Sequence, residues 1–333
     1  MIECESRLAR GPGDPYSFEP DIGPVTDYPR FEYRMKEVKR AGKVIAGSLA
    51  WTPENQSTIR HAFLVANSWR DAHAYPMRSI RYSLLARMRQ QGLRALSAAR
   101  LKRMQAIRRK LRRIMASLDE LQDLGGCRLI LSSMDEVRTL IDAIHAEPRH
   151  DLWDEDDYIA TPKRDGYRSH HLMFKFRGRN EATAIHNGRR VEVQIRTRLQ
   201  HSWATAVEGV GLFLNQDLKG NHGSAEWLRL FLLMSAEFAE SEGCAATEGV
   251  PPHIERVREI QELDGALGAT NTLENLRHAV DRTDIPLLPG YRPTHYLLRY
   301  DNVRKVVQVK PYNNQSPPLN PMILPRRKIT KAD

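Results

Sequence analysis

The stretch "RRVEVQIRT", Arg189 to Thr197, decides how the chain is read. Val191, Val193 and Ile195 alternate with Glu192, Gln194 and Arg196, the period of a β-strand with one apolar face. A strand that only meets water usually carries scattered Lys, Thr or Ser on its polar side. Here that side carries a carboxylate, an amide and a guanidinium in succession. The polar face is therefore a candidate site floor.

Outward from this strand, "CRLIL" (127–131) and "HHLMFKF" (170–176) also read as strands, the latter joined to 190–197 through a Gly/Asn-rich segment at 178–188. "MDEVRTLIDAIHA" reads as a helix with Val137, Leu140, Ile141 and Ile144 inward, and "RLQHSWATAVEGVGLFL" as a helix with Trp203, Val207 and Val210 buried. "DYIATPKRDGYRS" is a loop with turn chemistry at Asp165–Gly166. Upstream the pattern is helical: from about Tyr33, then about Ser57–His73, then past Pro76 through "RSIRYSLLARMRQ". A basic helix over "RLKRMQAIRRKLRRIMASLDELQDLGG" ends at Gly125–Gly126. The pair His150–Asp151 reads as part of an acidic loop. The expected fold class is α/β (α+β): a mixed sheet flanked by helices, with a helical N-terminal part.

Three segments are expected: an irregular, Pro/Gly-rich extension over 1–30, a main domain over 31–220, and a C-terminal region over 221–333. The last combines helices with a hairpin, "THYLLRY" and "KVVQVKPY", turning at Asp301–Arg304, before a polar tail, "PRRKITKAD". The texture change near 220 places the second boundary.

Among 333 residues, 51 Lys and Arg against 41 Asp and Glu leave a net +10, which favours phosphate-bearing partners. The excess is concentrated: no Asp or Glu occurs from Ala72 to Leu118. Three distant cysteines, Cys4, Cys127 and Cys244, exclude a disulfide framework and a CxxC zinc site. No apolar run is long enough to span a bilayer, and the N-terminus lacks a signal-peptide core, so the expected location is the cytoplasm. Neither a Walker A loop nor GxGxxG is present.

Asp123 lies just before a glycine pair and a strand. It is either a helix-end residue or a hard-cation ligand, since Mg²⁺ is held by one or two carboxylates plus substrate phosphates. Glu192, unfavourable in mid-strand unless its face is wet or liganded, is the natural second carboxylate. In "TPKRDGYRSHH", Lys163, Arg164 and Arg168 suit phosphate contacts and Tyr167 suits base stacking; the alternative is a charged surface hairpin. Arg100, Lys102, Arg103, Arg109 and Lys110 form a basic run that is either a solvated face or an anion site. His201 and Glu208 share one side of the last helix of the domain. His171 shares parity with Ser169, whereas His170 points the other way.

In this order, "RLKRMQAIRRKL", "DLGGCRLIL", "DYIATPKRDGYRSHH" and "VEVQIRT" resemble the RelA/SpoT family of nucleotide pyrophosphokinases, with "LQHSWATAVE" similar to the helix that follows in its small single-domain members. The resemblance implies a nucleotidyltransferase-like synthetase core that transfers pyrophosphate from ATP to the ribose 3′-hydroxyl of GDP or GTP. By position it implies Mg²⁺ on Asp123 and Glu192. ATP falls against Arg100, Lys102, Lys110, Arg128 and Lys163, with Arg100 and Arg128 flanking the adenine. Tyr167 would stack on the acceptor base, with His171, Gln194 and Arg196 on the acceptor side. Asp123, Glu192 and Glu208 are the carboxylates from which a general base would come. The motif departs from the family in carrying Asp165 before the glycine and His170 where Leu or Ile is common. The expectation is a stand-alone synthetase without a hydrolase domain, with region 221–333 as a candidate regulatory region. Two other readings stand beside it: a branch that modifies tRNA 3′-CCA ends or adenine nucleotides, and a non-catalytic nucleic-acid-binding module.

Overall fold

The structure is a computed structural model that describes residues 28–281 and two strands beyond them, His295–Asp301 and Val306–Tyr312. The extension over 1–27, the hairpin turn and the C-terminal tail lie outside the described residues. By internal contacts the chain divides into two compact units. One takes in the described part of 10–205 together with 229–260; the other takes in 206–228 and the described part of 261–333.

The first unit holds a five-stranded mixed sheet. Its strands are β1 (Leu96–Leu101), β2 (Gly125–Leu131), β3 (Asp151–Asp157), β4 (His170–Lys175) and β5 (Arg190–Thr197), in the order β1-β2-β5-β4-β3. Only β2 and β5 run parallel; the other neighbours are antiparallel. The expected α+β class with a mixed sheet is what the chain forms.

The apolar parity of these strands faces one way. Cys127, Leu129, Leu131, Leu172, Phe174, Val191, Val193 and Ile195 are buried against helices α3 (Ala74–Gln90) and α5 (Met134–Ala146), which contribute Ile80, Leu84, Val137, Leu140 and Ile144. Burying each such side chain contributes roughly 1.5–3 kcal/mol, which fixes the register and leaves the opposite parity on the other face. A second core joins α1 (Met35–Ala46), α2 (Gln56–Asp71) and α4 (Met104–Ile114) around Val38, Ile45, Val65, Ile107 and Leu118. A Cβ at Gly42 would lie 2.8 Å from Leu118 Cβ and 3.0 Å from its backbone nitrogen. Gly42→Ala should therefore lower stability by about 1–2 kcal/mol despite its helix propensity, read as a lower urea midpoint.

Two sequence expectations are corrected. The basic segment is not one helix. Leu96–Leu101 is strand β1, paired with Ile130–Gly125, and α4 starts only after Arg103, which is extended (φ −65°, ψ 142°). Met115, at φ 54°, ends α4, and a short 3-10 turn at Leu118–Glu120 leads into β2. Pairing with β2 overrides the helical preference of "LSAARL". The acidic stretch Asp151–Asp157 is likewise no loop but edge strand β3, placed by its ladder to β4.

The remaining α-helices among the described residues are α6 (Glu181–Ala184), α7 (Arg198–Leu214), α8 (Ala225–Ser241), α9 (His253–Leu267) and α10 (Ala269–Asp281). In the other unit, β6 (His295–Asp301) pairs antiparallel with β7 (Val306–Tyr312), as the alternation in both stretches predicts. Among the described residues no helix is long and apolar enough to cross a membrane.

His73, 1% exposed between α2 and α3, holds its Nδ1 2.8 Å from the Trp69 carbonyl. Burial, with the nearby Arg189 and His186 charges adding to it, pushes its pKa down to about 3. The unfolded chain therefore binds the proton first, and stability falls as pH drops from about 6.5 toward 3. Denaturant titrations at pH 7 and 5 should show this acid-side loss, and His73→Phe should flatten it at some cost at pH 7.

Candidate active site

The polar parity of the sheet assembles two rows. Arg100, Gly126, Glu192 and Met173 lie side by side across β1, β2, β5 and β4. Next to them run Ala98, Arg128, Gln194, His171 and Asp156. Arg196 continues the same face of β5. Period two along each strand and register between strands thus put Arg100, Arg128, Glu192, Gln194, Arg196 and His171 on one face.

Asp123, two residues before β2, sits at the foot of that face. Its Oδ2 accepts from Lys102 Nζ at 2.7 Å and from Lys110 Nζ at 2.9 Å. Lys102 follows β1 and is pinned by its backbone N–H to the Leu124 carbonyl; Lys110 comes from α4. Burial pushes the Asp123 carboxyl up, but the two ammonium groups outweigh it and hold the group below the usual aspartate range. Its other oxygen, Oδ1, is buried and has no hydrogen-bond partner. A buried, ionised oxygen without a donor is costly unless a cation meets it.

Glu192 is close enough to Asp123 to feel its charge. Burial pushes Glu192 up as well, and His171 and the Gln194 amide bring it below the ordinary glutamate range. Its Oε1 lies 3.2 Å from His171 Nδ1, and its Oε2 accepts from Gln194 Nε2 at 2.9 Å. An ionised carboxylate only accepts, so His171 Nδ1 carries hydrogen. In the neutral ring Nε2 then accepts from the Tyr167 hydroxyl at 2.8 Å, and burial, raising the Tyr167 pKa, keeps that phenol protonated. The chain Tyr167–His171–Glu192 links the loop to the carboxylate pair.

Gln194 also accepts from Arg196 Nη2 and, at 3.4 Å, from Arg128. The Arg196 guanidinium lies 5.7 Å from the Tyr167 ring centre. Lys163 Nζ stands 4.0 Å over the Tyr158 ring and 5.3 Å from that of Tyr167. These contacts bring Asp123, Glu192, Lys102, Lys110, Arg128, Lys163, Tyr167, His171, Gln194 and Arg196 together, with Arg100 exposed on the same face. Glu208 belongs to the other unit, where its carboxylate pairs with Lys219.

Two residues stand differently from the sequence reading. Arg168 does not reach toward phosphate: it is 2% exposed and donates to the Ile159 and Ala245 carbonyls and to Thr247 Oγ1. Tyr158, passed over in the sequence, packs edge-on to His171 at 5.1 Å and carries Lys163 on its face. Burial, aided by its hydrogen bond to Asp156, pushes Tyr158 up to about 12. Its signal was its place at the start of the loop that carries Lys163.

The donor set fits a hard divalent cation such as Mg²⁺: two ionised carboxylates near enough to feel each other's charge, one with an unmatched buried oxygen. Glu237, Glu240 and His253 also place possible ligand atoms within 4.8 Å of one another. There Arg256 is bonded to both carboxylates and already supplies the cation.

Residues 99–210 match a family model described as a region found in RelA / SpoT proteins. The matched segment contains every charged and hydrogen-bonding residue of the face just described. The chain is 30% identical over 165 residues to a GTP pyrophosphokinase of Escherichia coli K12, covering 47% of this chain and 21% of that protein. It is 32% identical over 134 residues to the GTP pyrophosphokinase YjbM of Bacillus subtilis, covering 39% of this chain and 61% of the relative. The match thus spans about a fifth of the longer relative's length. Among solved structures, small alarmone synthetase 1 from Bacillus subtilis bound to its product pppGpp aligns with TM-score 0.43 at 21% identity, covering 55% of this chain and 92% of that one.

Proposed function

We propose that this chain transfers the pyrophosphoryl group of ATP to the ribose 3′-hydroxyl of GDP or GTP, forming (p)ppGpp in the cytoplasm. The observation that carries the proposal is the half-buried, ionised pair Asp123–Glu192 on a sheet face otherwise lined with cations and hydrogen-bond donors. The similarity to GTP pyrophosphokinases supports the same reading.

Asp123 and Glu192 would hold Mg²⁺, which when bound neutralises phosphate charge and polarises the reacting phosphorus. Lys102 and Lys110 together carry one more positive charge than Asp123 removes, so they can turn to the ATP phosphates. Arg100 and Arg128, on adjacent strands of the same face, are placed for the adenine, and Lys163 for the phosphates from the loop side. Tyr167 offers its ring to the acceptor base, with Gln194 and Arg196 at its edge. The 3′-hydroxyl oxygen attacks the β-phosphorus, the bond to the α-phosphate oxygen breaks, and AMP leaves. A carboxylate of the site, Glu192 or Asp123, would take the hydroxyl proton; both Glu192 oxygens already accept hydrogen bonds, as does Asp123 Oδ2. Positioning and charge neutralisation carry most of such a transfer.

The test offers ATP labelled in its γ-phosphate, with Mg²⁺, to GDP, GTP, adenine nucleotides and deacylated tRNA in parallel. Label on the guanine nucleotides is the expected result. Label only on tRNA or adenine nucleotides would overturn the acceptor, and label on none would overturn the transfer.

A further inference from the structure

The loop that carries Lys163 and Tyr167 is tied at its ends and in its middle by different means. At the ends, the Tyr158 N–H donates to the Ser169 carbonyl, extending the β3–β4 ladder. In the middle, Gly166 N–H donates to the Lys163 carbonyl, and Gly166 takes φ +86°. Its carbonyl accepts from Ser235 Oγ on α8, and a Cβ at 166 would lie 2.9 Å from Ser235 Cβ. Two residues on, Arg168 is buried without a carboxylate among its hydrogen-bond partners. One guanidinium nitrogen donates to the Ile159 carbonyl inside the loop at 3.1 Å. The other donates to the Ala245 carbonyl at 2.7 Å and to Thr247 Oγ1 at 2.8 Å. Thr247 is itself 5% exposed.

A guanidinium taken out of water, whose two terminal nitrogens donate only to carbonyls and one hydroxyl while its Nε has no partner, makes no hydrogen-bonded ion pair. Its rigid fork instead fixes three points at once, a geometry that lysine cannot reproduce. Two of those points lie beyond the RelA/SpoT-family region, which ends at residue 210.

We propose that Arg168 is a positioning residue. With Ser235 and Thr247 it clamps the 158–169 loop onto the 229–247 segment and so holds Tyr167 and Lys163 where the acceptor binds. The downstream segment then sets acceptor affinity without touching the acceptor, and any change in it reaches the site through this clamp. The inference rests on the acceptor side proposed above.

The test compares Arg168→Lys, Thr247→Ala and Thr247→Ser with the unaltered chain, by substrate kinetics and by amide hydrogen exchange. Arg168→Lys should raise the acceptor KM about tenfold or more while the ATP KM stays within about twofold. Thr247→Ala should do the same more weakly, and Thr247→Ser, which keeps the hydroxyl, should restore it. Amides of 158–169 should exchange faster in Arg168→Lys while those of 190–197 do not change. An unchanged acceptor KM, or equal loss on both substrates with faster exchange throughout the sheet, would overturn the clamp. If the unaltered chain transfers nothing, the functional reading fails separately. The exchange comparison then decides alone, and unchanged protection of 158–169 refutes the clamp.

Discussion

Asp123→Asn is expected to lower kcat/KM for pyrophosphoryl transfer by about a thousandfold or more, with the fold retained. The carboxylate supplies the one buried oxygen on the polar face that has no protein donor. Loss of a charge that anchors a catalytic cation costs several kcal/mol of transition-state stabilisation, and about 4 kcal/mol corresponds to that factor. Stability should drop only slightly, because Lys102 and Lys110 keep 23% and 26% of their side chains exposed and can turn to water. Glu192→Gln should act similarly. The amide oxygen can still accept from His171 Nδ1, while the bond from Gln194 Nε2 is lost with the charge. Circular dichroism melts would check that both variants fold. Near-normal turnover in either would remove the assignment of these carboxylates.

Tyr167 allows the ring and the hydroxyl to be separated. Tyr167→Ala should raise the acceptor KM by roughly tenfold to a hundredfold, the range expected for one base stacked on one aromatic ring, and leave the ATP KM nearly unchanged. Tyr167→Phe keeps the ring and loses the hydroxyl with its bonds to His171 Nε2 and the Ser169 side chain. It should keep the acceptor KM within a few-fold and show its effect in kcat. An unchanged acceptor KM and kcat in Tyr167→Ala would count against stacking.

Much of this arrangement was legible in the sequence because β-strands are simple to read where one face is buried. The alternation of 191, 193 and 195 with 192, 194 and 196 fixed which side chains share the polar face, and the register then joined them to Arg128 and His171. Helices α5 and α7 were legible from apolar spacing for the same reason. Strand β1 was not. Its residues, Leu, Ser and Ala flanked by arginines, have no β preference of their own and continue a helical pattern; only β2 makes them a strand. Edge strand β3 carries acids on both faces, so no alternation betrays it. Arg168 looked like its exposed neighbours Lys163 and Arg164, and its burial depends on Ala245 and Thr247, far along the chain. Lys110 was read as one charge in a basic run. Its meeting with Asp123 depends on where α4 sits, which local sequence does not encode.

The central claim is that the acceptor hydroxyl attacks the β-phosphorus of ATP on this sheet face. The measurement that tests it most directly is the nucleotide balance of the reaction, with GDP as acceptor and products separated by anion exchange. The account predicts one AMP for every pyrophosphorylated guanosine formed, little ADP or free phosphate, and loss of both products together in Glu192→Gln. Formation of ADP or inorganic phosphate in place of AMP, or AMP formation that survives in Glu192→Gln, would contradict it.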